Sequence, residues 1–364
     1  EARAVADRLE IGSHAAMLRG RVALAEGRAA EALDSLSEGT LLWPDNAVAR
    51  YYAARAAEQV GDFDRAIEEY RYAIRLDAGA TGARENVARI HLAENNIDAA
   101  LYMIRYRSPN STASPRSEAS LLLEVEALGQ AGDSERVLSR ELQLTLQDPT
   151  VWGRAVAALA RGAWRRGGAE AASTVIRTAD RVDLGDATAI PALRVLVDSL
   201  AAQGKAEEAV AEARKAVARN PDAPEQLEIL ASAIHAAGEF PDAAEAFEGL
   251  LALDPENRRL LLGRARTHHA VGDSAYAREV LLRAEALPLG EDAEVARGEA
   301  EVWLVLGENA RAEARLREVL SLEPHDGAAA DALADVLAAS GGQADEIAAL
   351  RQRASRFGVK HRSG

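Results

Sequence analysis

Apolar residues recur three and four positions apart in short stretches along this chain, and the stretches come in pairs divided by glycine. Gly27, Gly61, Gly132, Gly167, Gly204, Gly238, Gly272, Gly307 and Gly341 stand 34 or 35 residues apart, with two intervals of 37 and one doubled interval whose midpoint is Asn95. Three-and-four spacing is the signature of a helix with one apolar face. A glycine after it marks where that helix stops, because glycine adopts the left-handed conformation that ends helices. A fixed period of this length is the mark of a repeat array.

Other columns keep the same register. Five residues after the glycine stand Ala32, Ala66, Ala100, Val137, Ala172, Ala209, Ala243, Ala277 and Ala312. Seven before it stand Gly20, Ala54, Ala88, Val125, Ala160, Val197, Ala231, Ala265, Ala300 and Ala334. Small side chains at matched heights let two antiparallel helices approach closely. Nine after it the column is bulky, with Leu36, Tyr70, Ile104, Ile176, Phe247, Leu281, Leu316 and Leu350. Seventeen after it come Pro44, Pro149, Pro221, Pro255 and Pro324, which end the second helix because proline has no amide donor and clashes with the preceding turn.

With these columns in place, the chain resembles the tetratricopeptide repeat (TPR) family. The run Gly61-Asp62-Phe63-Asp64-Arg65-Ala66-Ile67-Glu68-Glu69-Tyr70, followed by Ala73, is close to the family consensus, as are Gly204 to Pro221 and Gly238 to Pro255. The resemblance implies an all-α fold, a right-handed superhelical solenoid of antiparallel helix pairs. Ten units are expected: units 1 to 3 over 13–107 and units 4 to 10 over 118–357, with 1–12 an N-terminal helix or the remnant of a preceding repeat and 358–364 a basic tail. Residues 108–117, Ser-Pro-Asn-Ser-Thr-Ala-Ser-Pro-Arg-Ser, read as a breaker-rich loop or hinge. The third unit has Asn95 for its glycine, and its second helix is expected to end near Arg107. The fifth turns at Gly167-Gly168 and has Leu184 where the proline would stand. The last carries Glu346 where a small residue is expected, a polar change that suits a terminal cap.

Composition fits this picture. The chain is 48% hydrophobic but only 4% aromatic, enough to bury an extended core of alanine and leucine between neighbouring repeats. Cysteine is absent, which removes disulfides, thiolate zinc sites and a cysteine nucleophile together. No apolar run approaches the 18 residues a membrane-spanning helix needs. The formal net charge of −15 disfavours nucleic acid, whose binding rests on neutralising phosphates. Residues 1–117 carry 15 basic against 17 acidic side chains and the remainder 28 against 41, so the N-terminal repeats are the less acidic. Arginine supplies nearly all the basic residues, which with the abundance of alanine points to a GC-rich bacterial genome. The start at Glu1 without a methionine points to processing or trimming ahead of it, and the expected location leans to the bacterial cell envelope or periplasm over the cytoplasm.

In TPR proteins the first helix of each unit lines a concave groove, through residues three, six, nine and ten before the turn glycine. Carried over by column, the resemblance places Arg21, Arg55 and Arg89 in register, with Tyr51, Tyr52, Glu85 and Asn86 beside them. Arginine's planar fork matches a carboxylate, so an acidic or carboxylate-terminated peptide is the expected ligand of the first three repeats. An ordinary solvated helix face is the competing reading of the same residues. The lysines and asparagines of the family's chaperone-tail clamp are not reproduced: Asn86 fills one place, and Met17, Arg21, Tyr51 and Arg55 do not fill the others. His235 and His269, each three before its glycine, form the sole metal-like pairing, with His268 beside them and no evident third ligand, so no metal is expected. No phosphate-cradling Gly-Lys-Ser/Thr loop, His-Glu-x-x-His or Gly-x-Ser-x-Gly occurs. The expected function is a non-enzymatic scaffold without cofactor, holding peptide segments or partner proteins in its groove. The alternative is the recognition arm of a larger enzyme or of an envelope secretion or assembly complex. Self-association through the first and last repeats fits either.

Overall fold

The computed structural model describes residues 12–77, 82–106, 117–134, 137, 149–179, 182–288, 290 and 292–358. Residues 1–11, most of the expected loop at 108–117, most of the second helix of unit 4 and the tail from 359 onward lie outside them. Among the described residues every regular element is helical, and they fall into two compact units, 1–115 with 313–364 and 116–312.

The first unit contains α1 (Gly12–Ala25), α2 (Ala29–Leu42), α3 (Ala47–Val60), α4 (Phe63–Leu76), α5 (Ala83–Ala93) and α6 (Ile97–Arg105). From the C-terminal part it takes most of α16 (Asn309–Leu322), together with α17 (Gly327–Ser340) and α18 (Ala344–Arg356). From α1 to α6 each helix packs on the next, α17 packs on α18, and α1 also packs on α3, as a stack of pairs requires. The turn at Gly61 shows why the pairs form. Gly61 has φ 88°, its amide bonds the Glu58 carbonyl at 3.1 Å, and the Asp62 amide reaches the Ala57 carbonyl at 2.9 Å. That pair of bonds closes α3, and the Asp62 carboxylate then accepts from the Arg65 amide to open α4. The third repeat makes the same turn without glycine. Asn95 takes φ 58°, its amide bonds Leu92, and the Asn96 amide bonds His91 at 2.7 Å. Asparagine is the residue best able to replace glycine there. The helix that follows, α6, ends at Arg105, two residues before the expected Arg107.

The second unit holds α7 (Glu118–Ala131), α8 (Pro149–Thr178), a short 3₁₀ turn (Ala187–Ala189), α9 (Ile190–Ala202), α10 (Ala206–Arg219), α11 (Pro224–Ala236) and α12 (Phe240–Leu253). It continues through α13 (Arg258–Ala270), α14 (Ser274–Glu285) and α15 (Ala293–Val305). First helices pack on first helices along the stack, α9 on α11, α11 on α13 and α13 on α15. α8 is two helices run together across Gly168, whose φ 75° and ψ −168° lie outside helical space. The break of the fifth repeat therefore falls at Gly168, one residue after the glycine of the 34-residue column. Where α7 meets α8 the backbones nearly touch: a β-carbon on Gly129 would stand 2.2 Å from the Leu159 carbonyl oxygen, and one on Gly162 2.0 Å from that of Glu126. The proline column also acts as expected. α2, α10, α12 and α16 end at Leu42, Arg219, Leu253 and Leu322, each two residues before Pro44, Pro221, Pro255 and Pro324.

Alanine fills both cores. Ala54, Ala66, Ala88 and Ala100 in the first unit, and Ala160, Ala209, Ala231, Ala243, Ala265 and Ala277 in the second, are without exposed surface. In the second unit Arg258 and Glu299, 8% and 0% exposed, form a buried two-pronged ion pair with bonds of 3.1 and 2.5 Å, and Arg258 also donates to the Leu287 carbonyl. Breaking such a pair on one side strands a buried charge. At the end of the array Glu346 is bonded by Arg317 of α16 at 2.7 Å.

Candidate partner-binding surface

The seven residues singled out by register lie on three first helices of the first unit, Arg21 on α1, Tyr51, Tyr52 and Arg55 on α3, and Glu85, Asn86 and Arg89 on α5. Arg21 is exposed, and its guanidinium lies over the Tyr52 ring, 4.7 Å from the centroid. The Tyr52 ring meets Tyr51 edge-on at 5.4 Å, and Tyr51 leans on Tyr70 at 5.8 Å. Rings at these separations attract beyond their burial alone, and a cation over a ring adds to it.

Beneath the rings runs a directional hydrogen-bond relay. Arg89 donates to the Asn86 side-chain oxygen at 2.9 Å, Asn86 donates to the Tyr70 hydroxyl at 2.9 Å, and that hydroxyl donates to Glu58 at 2.5 Å. Arg55 stands 3.8 Å from the same carboxylate. Glu58 is only 4% exposed and Tyr70 0%. Burial pushes the Glu58 carboxyl above its ordinary range, although the Tyr70 hydrogen bond and the charges of Arg55, Arg89 and Arg353 pull the other way. Burial, then the neighbouring carboxylate, holds Tyr70 well above the usual phenol value, so its hydroxyl keeps the proton it donates. Chained hydrogen bonds in a low-dielectric setting reinforce one another.

The structure thus brings Tyr51, Tyr52, Arg55, Asn86 and Arg89 together on one surface, with Arg21 joined through its ring contact. Glu85 lies half-buried in the first turn of α5, beside Asn86. The Asn86 amide is committed on both sides, to Tyr70 and to Arg89. Arg21 and Arg89 present exposed cationic groups, and Arg55 is half-buried. Register alone missed Glu58 and Tyr70. Both had a signal: Glu58 is three before Gly61, in a groove column, and Tyr70 is the hydroxyl-bearing member of a mostly apolar column.

In the second unit the corresponding faces are crossed by ion pairs between adjacent repeats. Arg194 grips Glu228 with both nitrogens, Arg259 bonds Asp292 and Glu294 at 2.7 and 3.0 Å, and Arg266 meets Glu301 at 2.8 Å. Asp198, which keeps exposed surface, is pushed up to about 6, first by desolvation among its neighbours and then by the charge of Glu294. His235 bonds Thr267 at 3.1 Å while His269 meets Ser274 at 3.4 Å, so the two imidazoles serve different partners. Among the described residues no group of three or more His, Asp or Glu is placed to hold a metal ion. No described helix is long and apolar enough to cross a membrane.

Solved structures similar to this chain include MamA, at 20% identity over 44% of this chain and 94% of that one, with a TM-score of 0.35. A thermophilic TPR protein of Thermus thermophilus is 22% identical over 51% and 99%, TM-score 0.41. A chain of the APC/C hetero-tetramer Cut9–Hcn1 is 15% identical over 96% and 88%, TM-score 0.43. No curated protein matches the chain. The tetratricopeptide repeat family model matches at 17–81, 51–106, 194–257 and 236–294. Those spans cover more than half of the sequence and include both units, and the turns, caps and small-residue columns within them are those of stacked helix pairs. The chain belongs to the tetratricopeptide repeat family.

Proposed function

We propose that the first three repeats bind an acidic or carboxylate-terminated peptide across the surface built by Arg21, Tyr51, Tyr52, Arg55 and Arg89. That the array as a whole is a protein-interaction scaffold follows from its family, whose members bind other proteins and are generally not enzymes. The finer reading rests on one observation. The relay through Tyr70 and Glu58 holds Asn86 and the exposed Arg89 in place on α5, while the exposed Arg21 guanidinium of α1 lies over the Tyr52 ring of α3. A preordered cation loses less side-chain freedom on binding, and tyrosine and arginine are the residues in which binding energy concentrates.

The test is fluorescence anisotropy with labelled peptides that end in a free carboxylate and carry aspartate or glutamate, against amidated, uncharged counterparts. Arg21→Glu with Arg89→Glu changes two exposed side chains and leaves Arg55 beside the buried Glu58. Affinity for the acidic peptides is expected to fall at least about tenfold in the double variant, with a shallower salt dependence. Equal binding of acidic and uncharged peptides, or equal binding by both proteins, would refute the reading and leave these arginines as a solvated face.

A further inference from the structure

Within the first unit, the end of α18 packs against the turn between α3 and α4. Arg356 donates to Asp64 at 2.9 Å and to Glu94 at 2.7 Å, partners 292 and 262 positions away. Phe357 meets the Phe63 ring edge-on, 4.7 Å between centroids. The guanidinium groups of Arg353 and Arg356 lie over the same ring at 5.3 and 5.4 Å. Phe63 is therefore enclosed by one aromatic edge and two cations.

Comparison within the array shows that this enclosure is not a property of the repeat. Two residues after the turn residue stand Ala29, Phe63, Ile97, Ser134, Ala206, Phe240, Ser274, Asn309 and Gln343. All but Phe63 are half-buried or exposed, including Phe240, the other phenylalanine of the column. Phe63 is 1% exposed. What distinguishes it is the segment Arg353 to Phe357. Arg353 is itself buried on its side of the contact, 7% exposed, and desolvation lowers its guanidinium to about 10. A chain does not bury a cation without return; here the return is the ring beneath it and the carbonyl of Pro324 that its Nε bonds.

We propose that the turn of the second repeat, with Glu94 of the third, is a docking surface for a helix end that carries an aromatic residue flanked by arginines, and that α18 of the same chain occupies it as an intramolecular latch. The chemistry on each side is complementary, an exposed aspartate, a half-buried glutamate and an aromatic ring facing two guanidinium groups and a second ring. Asp64 is 87% exposed at its side chain against 19% for Glu94 and 28% for Arg356. The Asp64 bond is thus the salt-sensitive one, and the Glu94 bond and the rings supply the remainder. The latch also reaches the relay described above, because Arg353 is among the cations whose charge favours ionised Glu58.

The chain has no cysteine, so two can be placed at will. Nitroxide labels on Glu68→Cys and Gln352→Cys, both exposed positions beside the contact, report the separation of α4 and α18 by pulsed electron resonance in the full chain. One narrow, short-distance population is expected, and it persists when labelled protein is diluted into an excess of unlabelled protein. Arg356→Glu sets a carboxylate against Asp64 and Glu94 and is expected to lower the ratio of closed to open at least about tenfold. Adding Asp64→Arg restores much of it, which a merely misfolded α18 would not allow. A broad distribution in the intact chain, or charge variants without effect, overturns the latch. So does a short distance that vanishes on dilution, which would place the contact between two copies.

Discussion

At the residue scale the buried relay is the part of the molecule with the most to lose. Tyr70 is both acceptor and donor, taking a bond from Asn86 and giving one to Glu58. Tyr70→Phe keeps the ring and its packing and removes only the hydroxyl. It leaves an amide and a carboxylate without that partner in a buried setting, a loss of about 1–3 kcal/mol. The loss depends on pH in a defined direction. The Glu58 carboxyl is raised above its ordinary 4.5 in the fold, so folding stability falls as pH climbs from about 4.5 through the folded value, where the unfolded chain has already given up its proton. The Tyr70 hydrogen bond offsets part of that cost by favouring the ionised form. Tyr70→Phe should therefore destabilise more at pH 7 than at pH 4 in urea titrations followed by circular dichroism. An equal loss at both would mean that Glu58 keeps one protonation state throughout.

At the element scale, the turns were legible in the sequence because they are local. A glycine, or Asn95 in its place, ends one helix, and where Asp62, Asn96 or Asp273 follows, its side chain caps the next. Both signals sit within a few residues of the structure they cause. The fifth repeat was legible to within one residue, since either of two adjacent glycines could make its break and only the backbone decides. Gly168 combines φ 75° with ψ −168°, a region essentially closed to residues with a β-carbon. Gly168→Ala should cost about 1–3 kcal/mol, read as a lower urea midpoint. Asn95→Gly should move the other way by up to about 1 kcal/mol, because glycine takes the left-handed conformation without asparagine's penalty. Opposite signs for two substitutions at related turns test the backbone argument directly. The site was legible only in outline. Register placed Arg21, Arg55 and Arg89 on first helices, but Glu58 and Tyr70 enter through pairings between helices and through burial, which no single column displays.

At the scale of the whole molecule the repeat pattern says that each unit answers only to its neighbours. A periodic sequence therefore carries no sign of a contact such as Phe63 with Phe357, and reading columns down the chain could not have found it. Hydrogen exchange separates the two descriptions. In a chain ending at Ser340, nearest-neighbour stacking alone predicts lost protection in α16 and α17 and nothing elsewhere. If α18 covers the second repeat, the amides of Gly61 and Asp62, which close α3 onto Glu58 and Ala57, lose protection as well. Uncovering much of a buried phenylalanine is worth about 1–2 kcal/mol, so these amides should exchange at least about tenfold faster. α9 to α15, in the other unit, should be unchanged. Unfolding that spread along the chain from the new end would strip α15 and its predecessors first, so unchanged protection there excludes it.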